Sequence, residues 1–161
     1  MTRVIMHGCN GKMGRFITDL IKEEEDVSIV AGVDTYDGVA NDYPVFASIE
    51  DCDVEADVVI DFSNAKAVDD LLDCCEERKL PVVLCSTGLS EEQLERVKKA
   101  SEKTAVLKSA NMSLGINMFL DILPKMVQLL APAGFDVEIV EKHHNQKLDA
   151  PSGTALALAD S

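Results

Sequence analysis

Positive charge is scarce in this sequence: 15 lysines and arginines stand against 29 aspartates and glutamates, a formal net charge of −14 over 161 residues. Such a surface repels phosphate backbones and the anionic inner leaflet of a membrane, which argues against a nucleic-acid or membrane partner over most of its area. An anionic ligand then needs a local cationic pocket. Cysteine pairing is missing as well. Cys9, Cys52, Cys74, Cys75 and Cys85 form no CxxC pair and no metal-ligand spacing, and their odd number is a poor basis for a disulfide framework. Reduced thiols in a cytoplasmic protein without a metal centre are expected. No long apolar run opens the chain: MTRVIMHGCNGKMG meets glycine after a few strand-like residues, short of a signal-peptide core or of the ~20 apolar residues of a membrane span. Internal repeats and low-complexity tracts are also lacking, which excludes a solenoid.

What is present is a globular composition, 47% hydrophobic against 27% charged, at a length that suits one domain or one domain and part of another. RVIMH (3–7) reads as a buried strand that breaks at Gly8 into GCNGKMG. A helix follows, with Met13, Phe16, Ile17, Leu20 and Ile21 as its apolar face. VSIVAGVD (27–34), DVVIDFS (57–63), PVVLCSTG (81–88) and TAVLKSAN (104–111) read as further strands. Between them lie a helix from about Ala65 to Lys79, with Val68, Leu71, Leu72 and Cys75 on one side, and a helix opened by SEEQ, with Ser90 as cap and Gln93 at its third position. Strands apolar on both faces that alternate with helices predict an α/β fold: a Rossmann-type doubly wound parallel sheet with right-handed crossovers.

The last third departs from this rhythm. A long helix is expected from about Ser113 to Leu130, with Pro124 either kinking it or ending its first half, and FDVEIVEKHH (135–144) alternates like a half-exposed strand. One amphipathic strand is not stable alone. The expectation is therefore a dinucleotide-binding domain over 1–112 and the incomplete start of a second, α+β substrate domain over 113–161.

Three groups of residues carry chemistry. Gly8, Gly11 and Gly14 form a GxxGxxG loop between strand and helix, a spacing variant of the dinucleotide fingerprint that lets backbone amides approach a pyrophosphate at a helix N-terminus. Asp34 lies twenty residues past Gly14 at the end of the second strand, where a carboxylate accepts from adenosine ribose hydroxyls. Thr35 follows it, so no arginine stands there for a 2′-phosphate, although Lys12 and Arg15 could serve in part; NADH should be used at least as readily as NADPH. CSTG (85–88) and SANM (109–112) end strands on the same edge and can line a nicotinamide pocket, or be ordinary turns. The third group is EKHHNQKLDAPSGTALALAD. Ser152 is a plausible helix cap that aims the Gly153 and Thr154 amides at an anion, Lys147 adds a full charge, and histidine, of unperturbed pKa ~6.5, can deliver a proton. A dicarboxylate undergoing reduction needs such a set.

On these residues the sequence resembles the 4-hydroxy-tetrahydrodipicolinate reductase (formerly dihydrodipicolinate reductase) family of the diaminopimelate route to lysine. The likeness runs through GCNGKMGR, DVVIDFS, STG, SANMSLGIN and EKHHNQKLDAPSGTA, the last fitting the signature ExHHxxKxDAPSGTA. It implies NADH or NADPH bound by Gly8, Cys9, Asn10, Gly11, Lys12, Met13, Asp34, Cys85, Ser86, Thr87, Ser109, Ala110, Asn111 and Met112. His143 is implied as proton donor, Lys147 as second donor or carboxylate clamp, and His144, Ser152, Gly153 and Thr154 as contacts of a small dicarboxylate substrate. Hydride would pass to ring carbon 4 of the dehydrated imine, with protonation next to it. Thr35 departs from the basic residue common in the family. Its members continue past the signature through a mixed sheet that holds substrate and builds a homotetramer, whereas these residues end at Ser161. Two other readings compete: a fragment that only binds dinucleotide, and another Rossmann oxidoreductase such as an amino-acid dehydrogenase, which would leave the HHxxK and PSGT pairing unexplained.

Overall fold

The computed structural model describes residues 1–145 and 150–161, in two compact units, Met1–Ser109 and Ala110–Ser161. The first unit is built on β1 (Thr2–His7), α1 (Lys12–Ile21), β2 (Val27–Val33), β3 (Val45–Phe46), β4 (Val58–Asp61), α2 (Val68–Arg78), β5 (Val82–Leu84), α3 (Glu91–Ser101) and β6 (Val106–Lys108). The six strands are all parallel, in the order β3-β2-β1-β4-β5-β6. The winding direction therefore reverses at β1 and β4. With right-handed crossovers, α1 lies on one face and α2 and α3 on the other. The doubly wound parallel sheet expected from the sequence is what forms. The two-residue β3 was not foreseen, being too short to carry a period.

Central strands are buried on both faces, hence the runs of β-branched residues. Val4, Ile5, Met6, Val33, Val59, Val82 and Leu84 are buried, and Val68, Leu71, Leu72 and Cys75 of α2 pack onto them as the periodicity predicts. Each such aliphatic side chain contributes about 1.5–3 kcal/mol. Ser90 caps α3 by accepting from Gln93 N at 3.2 Å while Gln93 reaches back to Ser90 N, the reciprocal pair read from SEEQ.

Helix α1 corrects the sequence reading. Its buried residues are Gly14 and Thr18, with Ile17 and Ile21 of the expected apolar face half-buried beside them, whereas Met13, Phe16 and Leu20 are exposed. The cause is close approach: a β-carbon on Gly14 would lie 2.7 Å from the Cys9 Cα, so only small side chains fit beneath the helix. Thr18 Oγ1 donates to Gly14 O at 2.8 Å and lies 3.0 Å from the Tyr43 hydroxyl.

In the second unit, α4 (Leu114–Leu130) runs unbroken through Pro124, so the proline does not end the helix; the intrahelical ladder on either side carries it past the missing donor. Residues 135–144 form no strand. Phe135, Val137 and Ile139 alternate as the sequence suggests but are all exposed, and no described strand offers a ladder to pair with. The unit closes with α5 (Gly153–Asp160), which meets α4 around a hollow lined by Leu123, Pro124, Val127, Val137, Ile139 and Leu158.

Candidate cofactor and proton-donor sites

The β1–α1 turn is shaped by one residue that must be glycine. Gly8 has φ +81°, and a β-carbon there would come within 2.6 Å of the Phe62 carbonyl oxygen. The turn delivers the chain to Gly11, the N-cap of α1, which supplies no side-chain cap; the first turn also holds no acid. The orphan amides and partial positive charge of that helix end suit an anion. Lys12 and Met13 stand exposed in the first turn, whereas Cys9 is buried, its thiol pushed up to about 11 by burial and then by the Asp34 charge.

Asp34 leaves the end of β2 beside this turn. Its Oδ2 accepts the Asn10 amide at 2.9 Å and its Oδ1 the Tyr36 amide at 3.0 Å. Asn10 itself is turned inward, donating from Nδ2 to the Tyr36 carbonyl and accepting from Asn41 at 2.9 Å. A cavity of about 490 Å³ opens here, lined by Gly8, Gly11, Asp34, Thr35, Ser63 and Lys66 among others. Lys66 is the one lysine in that lining, against the carboxylates of Asp34, Glu50 and Asp70. The uncapped helix end, the tight glycine turn and a fixed carboxylate together fit a dinucleotide.

Beyond β5 the second group appears. Cys85 is buried, its thiol pushed up to about 11 by burial and by Asp61, while Thr87 and Gly88 are exposed. Ser86 is buried and donates its hydroxyl to Asp61 Oδ2 at 2.6 Å. Asp61 is wholly buried; its Oδ1 accepts from the Ser63 hydroxyl at 2.6 Å and amide at 3.2 Å. His7 Nδ1 lies 2.9 Å from the same oxygen, within ion-pair reach without the alignment of a hydrogen bond. Burial pushes the Asp61 carboxyl up, but His7, Ser63 and Ser86 outweigh it and leave the group below the ordinary range. This cluster escaped the sequence reading; its signal is a carboxylate and a histidine ending otherwise apolar strands.

Ser109 closes the first unit, its amide on the Leu84 carbonyl at 3.1 Å. Ala110 is half-buried and Met112 exposed in the second unit, and Asn111 donates to Thr154 Oγ1 at 2.9 Å. Ser152 caps α5 by accepting from Ala155 N at 3.1 Å, as expected, so Gly153 and Thr154 occupy the first turn. His143 and His144 are exposed. His143 Nε2 lies 2.8 Å from Glu141 Oε2, and Glu141 Oε1 accepts the Ser152 amide at 2.9 Å. Hydrogen bonds from Ser152 and then His143 hold the Glu141 carboxyl down at about 2. Sequence reasoning missed Glu141 although it opens the EKHH run. Lys147 lies outside the described residues. The sheet-end groups thus belong to one compact unit and the histidine loop to the other.

The family model described as "Dihydrodipicolinate reductase, N-terminus" matches residues 2–112, and its counterpart "Dihydrodipicolinate reductase, C-terminus" matches 115–161. The chain belongs to the dihydrodipicolinate reductase family. Curated 4-hydroxy-tetrahydrodipicolinate reductases of Clostridium novyi and Clostridium tetani are each 50% identical over 161 residues, the whole of this chain. The chain spans 64% and 63% of their lengths, respectively. A dipicolinate-bound dihydrodipicolinate reductase from Paenisporosarcina sp. TG-14 superposes with TM-score 0.77 at 31% identity, covering 99% of this chain and 64% of that one. An oxidoreductase from Agrobacterium radiobacter, solved with NAD+, L-tartaric acid and magnesium, shares the fold alone: TM-score 0.60 at 13% identity, over 77% of this chain and 40% of its own. The family match extends across the helical stretch Leu114–Ala133, whose length and apolar composition alone would suit a membrane span.

Proposed function

We propose that the chain carries the dinucleotide-binding and proton-donating parts of an NAD(P)H-dependent 4-hydroxy-tetrahydrodipicolinate reductase, acting in the cytoplasm in lysine biosynthesis. One observation carries the reading: Glu141 holds both the His143 imidazole and the amide of Ser152, the cap of α5, so one carboxylate sets a proton donor beside a helix N-terminus. Gly8 to Met13 and Asp34 would hold the pyrophosphate and adenosine ribose of NADH or NADPH, with residues 85–87 and 109–112 on the nicotinamide side. The bound dinucleotide supplies the hydride. His143 protonates the neighbouring carbon, and His144, Lys147, Ser152, Gly153 and Thr154 hold the carboxylates of a small dicarboxylate substrate. In longer members this centre would work within a homotetramer.

The test is oxidation of NADH or NADPH in the presence of 4-hydroxy-tetrahydrodipicolinate. Turnover that dipicolinate inhibits competitively supports the reading. A second reading rests on the sheet and its glycine turn forming a compact unit of their own: a module that binds dinucleotide without turnover. Cofactor binding with no oxidation selects that one, and no binding at all defeats both.

A further inference from the structure

Asp61 is a wholly buried carboxylate for which the proposed reaction has no use. Taking a carboxylate out of water is costly unless its oxygens are fully met, and an aliphatic side chain would end the apolar strand β4 at less cost. What the carboxylate gains is a junction. Oδ1 takes the Ser63 hydroxyl at 2.6 Å on its own loop and faces His7 of β1 at 2.9 Å; Oδ2 takes the Ser86 hydroxyl at 2.6 Å beyond β5. Three neighbouring strand ends are tied to one charged group.

Their place in the sheet gives the junction meaning. Asp34, just past the end of β2, lies to one side of the glycine turn, whereas β4 and β5 lie to the other. A dinucleotide laid across the carboxyl ends, with its pyrophosphate at the turn and its adenosine toward β2, must extend its nicotinamide over β4 and β5. Ser86 is buried and its hydroxyl hydrogen is committed to Asp61, so this side chain serves as an anchor, leaving the exposed Thr87 to face outward.

We infer that Asp61 is a positioning residue for the nicotinamide half of the cofactor, fixing the loop of residues 85–87 through the Ser86 hydroxyl. The inference rests on the dinucleotide reading above. Its test compares binding of NADH with binding of ADP-ribose, which lacks the nicotinamide, by the unaltered chain, Asp61→Asn and Ser86→Ala. Asp61→Asn should weaken NADH at least tenfold, abolish the emission shift of the bound reduced nicotinamide and leave ADP-ribose within twofold. Ser86→Ala, which keeps the carboxylate on Ser63 and His7, should lower the ratio of NADH to ADP-ribose affinity in the same direction, and it decides the matter if Asp61→Asn does not fold. NADH affinity unchanged in both variants, or both ligands weakened equally, overturns the inference alone. Failure of the unaltered chain to bind NADH overturns the cofactor reading and this inference with it.

Discussion

Glu141 bridges His143 and Ser152: one carboxylate oxygen lies 2.8 Å from the imidazole Nε2 and the other 2.9 Å from the serine amide. An imidazole held this way keeps one orientation, and the loop before α5 is pinned to the same group. Where the protein turns over, His143→Ala should lower kcat by ~10²–10⁴, the usual worth of a placed general acid. Glu141→Gln, which keeps an acceptor for Ser152 but not the anion for His143, should cost a smaller part of that with NADH affinity unchanged. Steady-state kinetics with separate cofactor titration checks both, and an unaltered kcat in Glu141→Gln would remove Glu141 from the mechanism. Because Glu141 is held down at about 2, its bridge is complete above the ordinary glutamate range and is lost only as pH falls toward 2.

The carboxylates of Asp34, Glu50 and Asp70 around a single lysine should disfavour a 2′-phosphate. A like-charge contact at ~4 Å costs ~1 kcal/mol in water, near fivefold in affinity. NADH should therefore bind at least about fivefold tighter than NADPH, and Asp34→Ser should narrow the ratio. Two dissociation constants measured by fluorescence settle it; tighter NADPH binding would refute the argument.

Lys79 ends α2 with φ +52°, a left-handed conformation that costs a residue with a β-carbon ~1–2 kcal/mol. Lys79→Gly should relieve that strain at a smaller entropic cost, raising stability by up to ~1 kcal/mol. A urea melt reads this, and a lower midpoint would show that the lysine makes a compensating contact.

Arg3 and Asp57 pair across the start of β1, with Nη2 to Oδ1 at 2.9 Å and the Arg3 amide to Oδ2 at 2.8 Å. Arg3 holds the Asp57 carboxyl down at about 2. A depressed carboxyl stabilises the fold above its unfolded pKa, near 4, and the contribution disappears as pH falls toward 2. Asp57→Asn should therefore lower stability near neutrality and flatten the curve between about pH 4 and pH 2, so that the two proteins converge toward pH 2; superimposable curves throughout would show the pair contributes nothing.

The framework of this fold is legible in the sequence wherever one local signal dominates. Val68, Leu71, Leu72 and Cys75 mark the buried side of α2 because a helix over a sheet buries one stripe. SEEQ announces the start of α3 because both halves of the capping box are local. The reading fails where contacts are remote. Met13, Phe16 and Leu20 of the α1 stripe point outward because the packing face is set by how closely Cys9 passes Gly14, a distance no periodicity encodes. Residues 135–144 alternate without forming a strand because a ladder needs a neighbour. Histidines and lysines attract attention as chemistry, whereas the carboxylates that hold the site, Glu141 and Asp61, show their use only once their partners 11 and 25 residues away are brought to them.

The margins of the sheet have a consequence of their own. Only Val45–Phe46 on one border and Val106–Lys108 on the other are in strand conformation, so a foreign chain finds a template two or three residues long. Borders that short give little purchase for intermolecular ladder growth. Fibrillar association of this unit would have to begin with opening of the sheet itself, and its rate should follow unfolding rather than protein concentration alone.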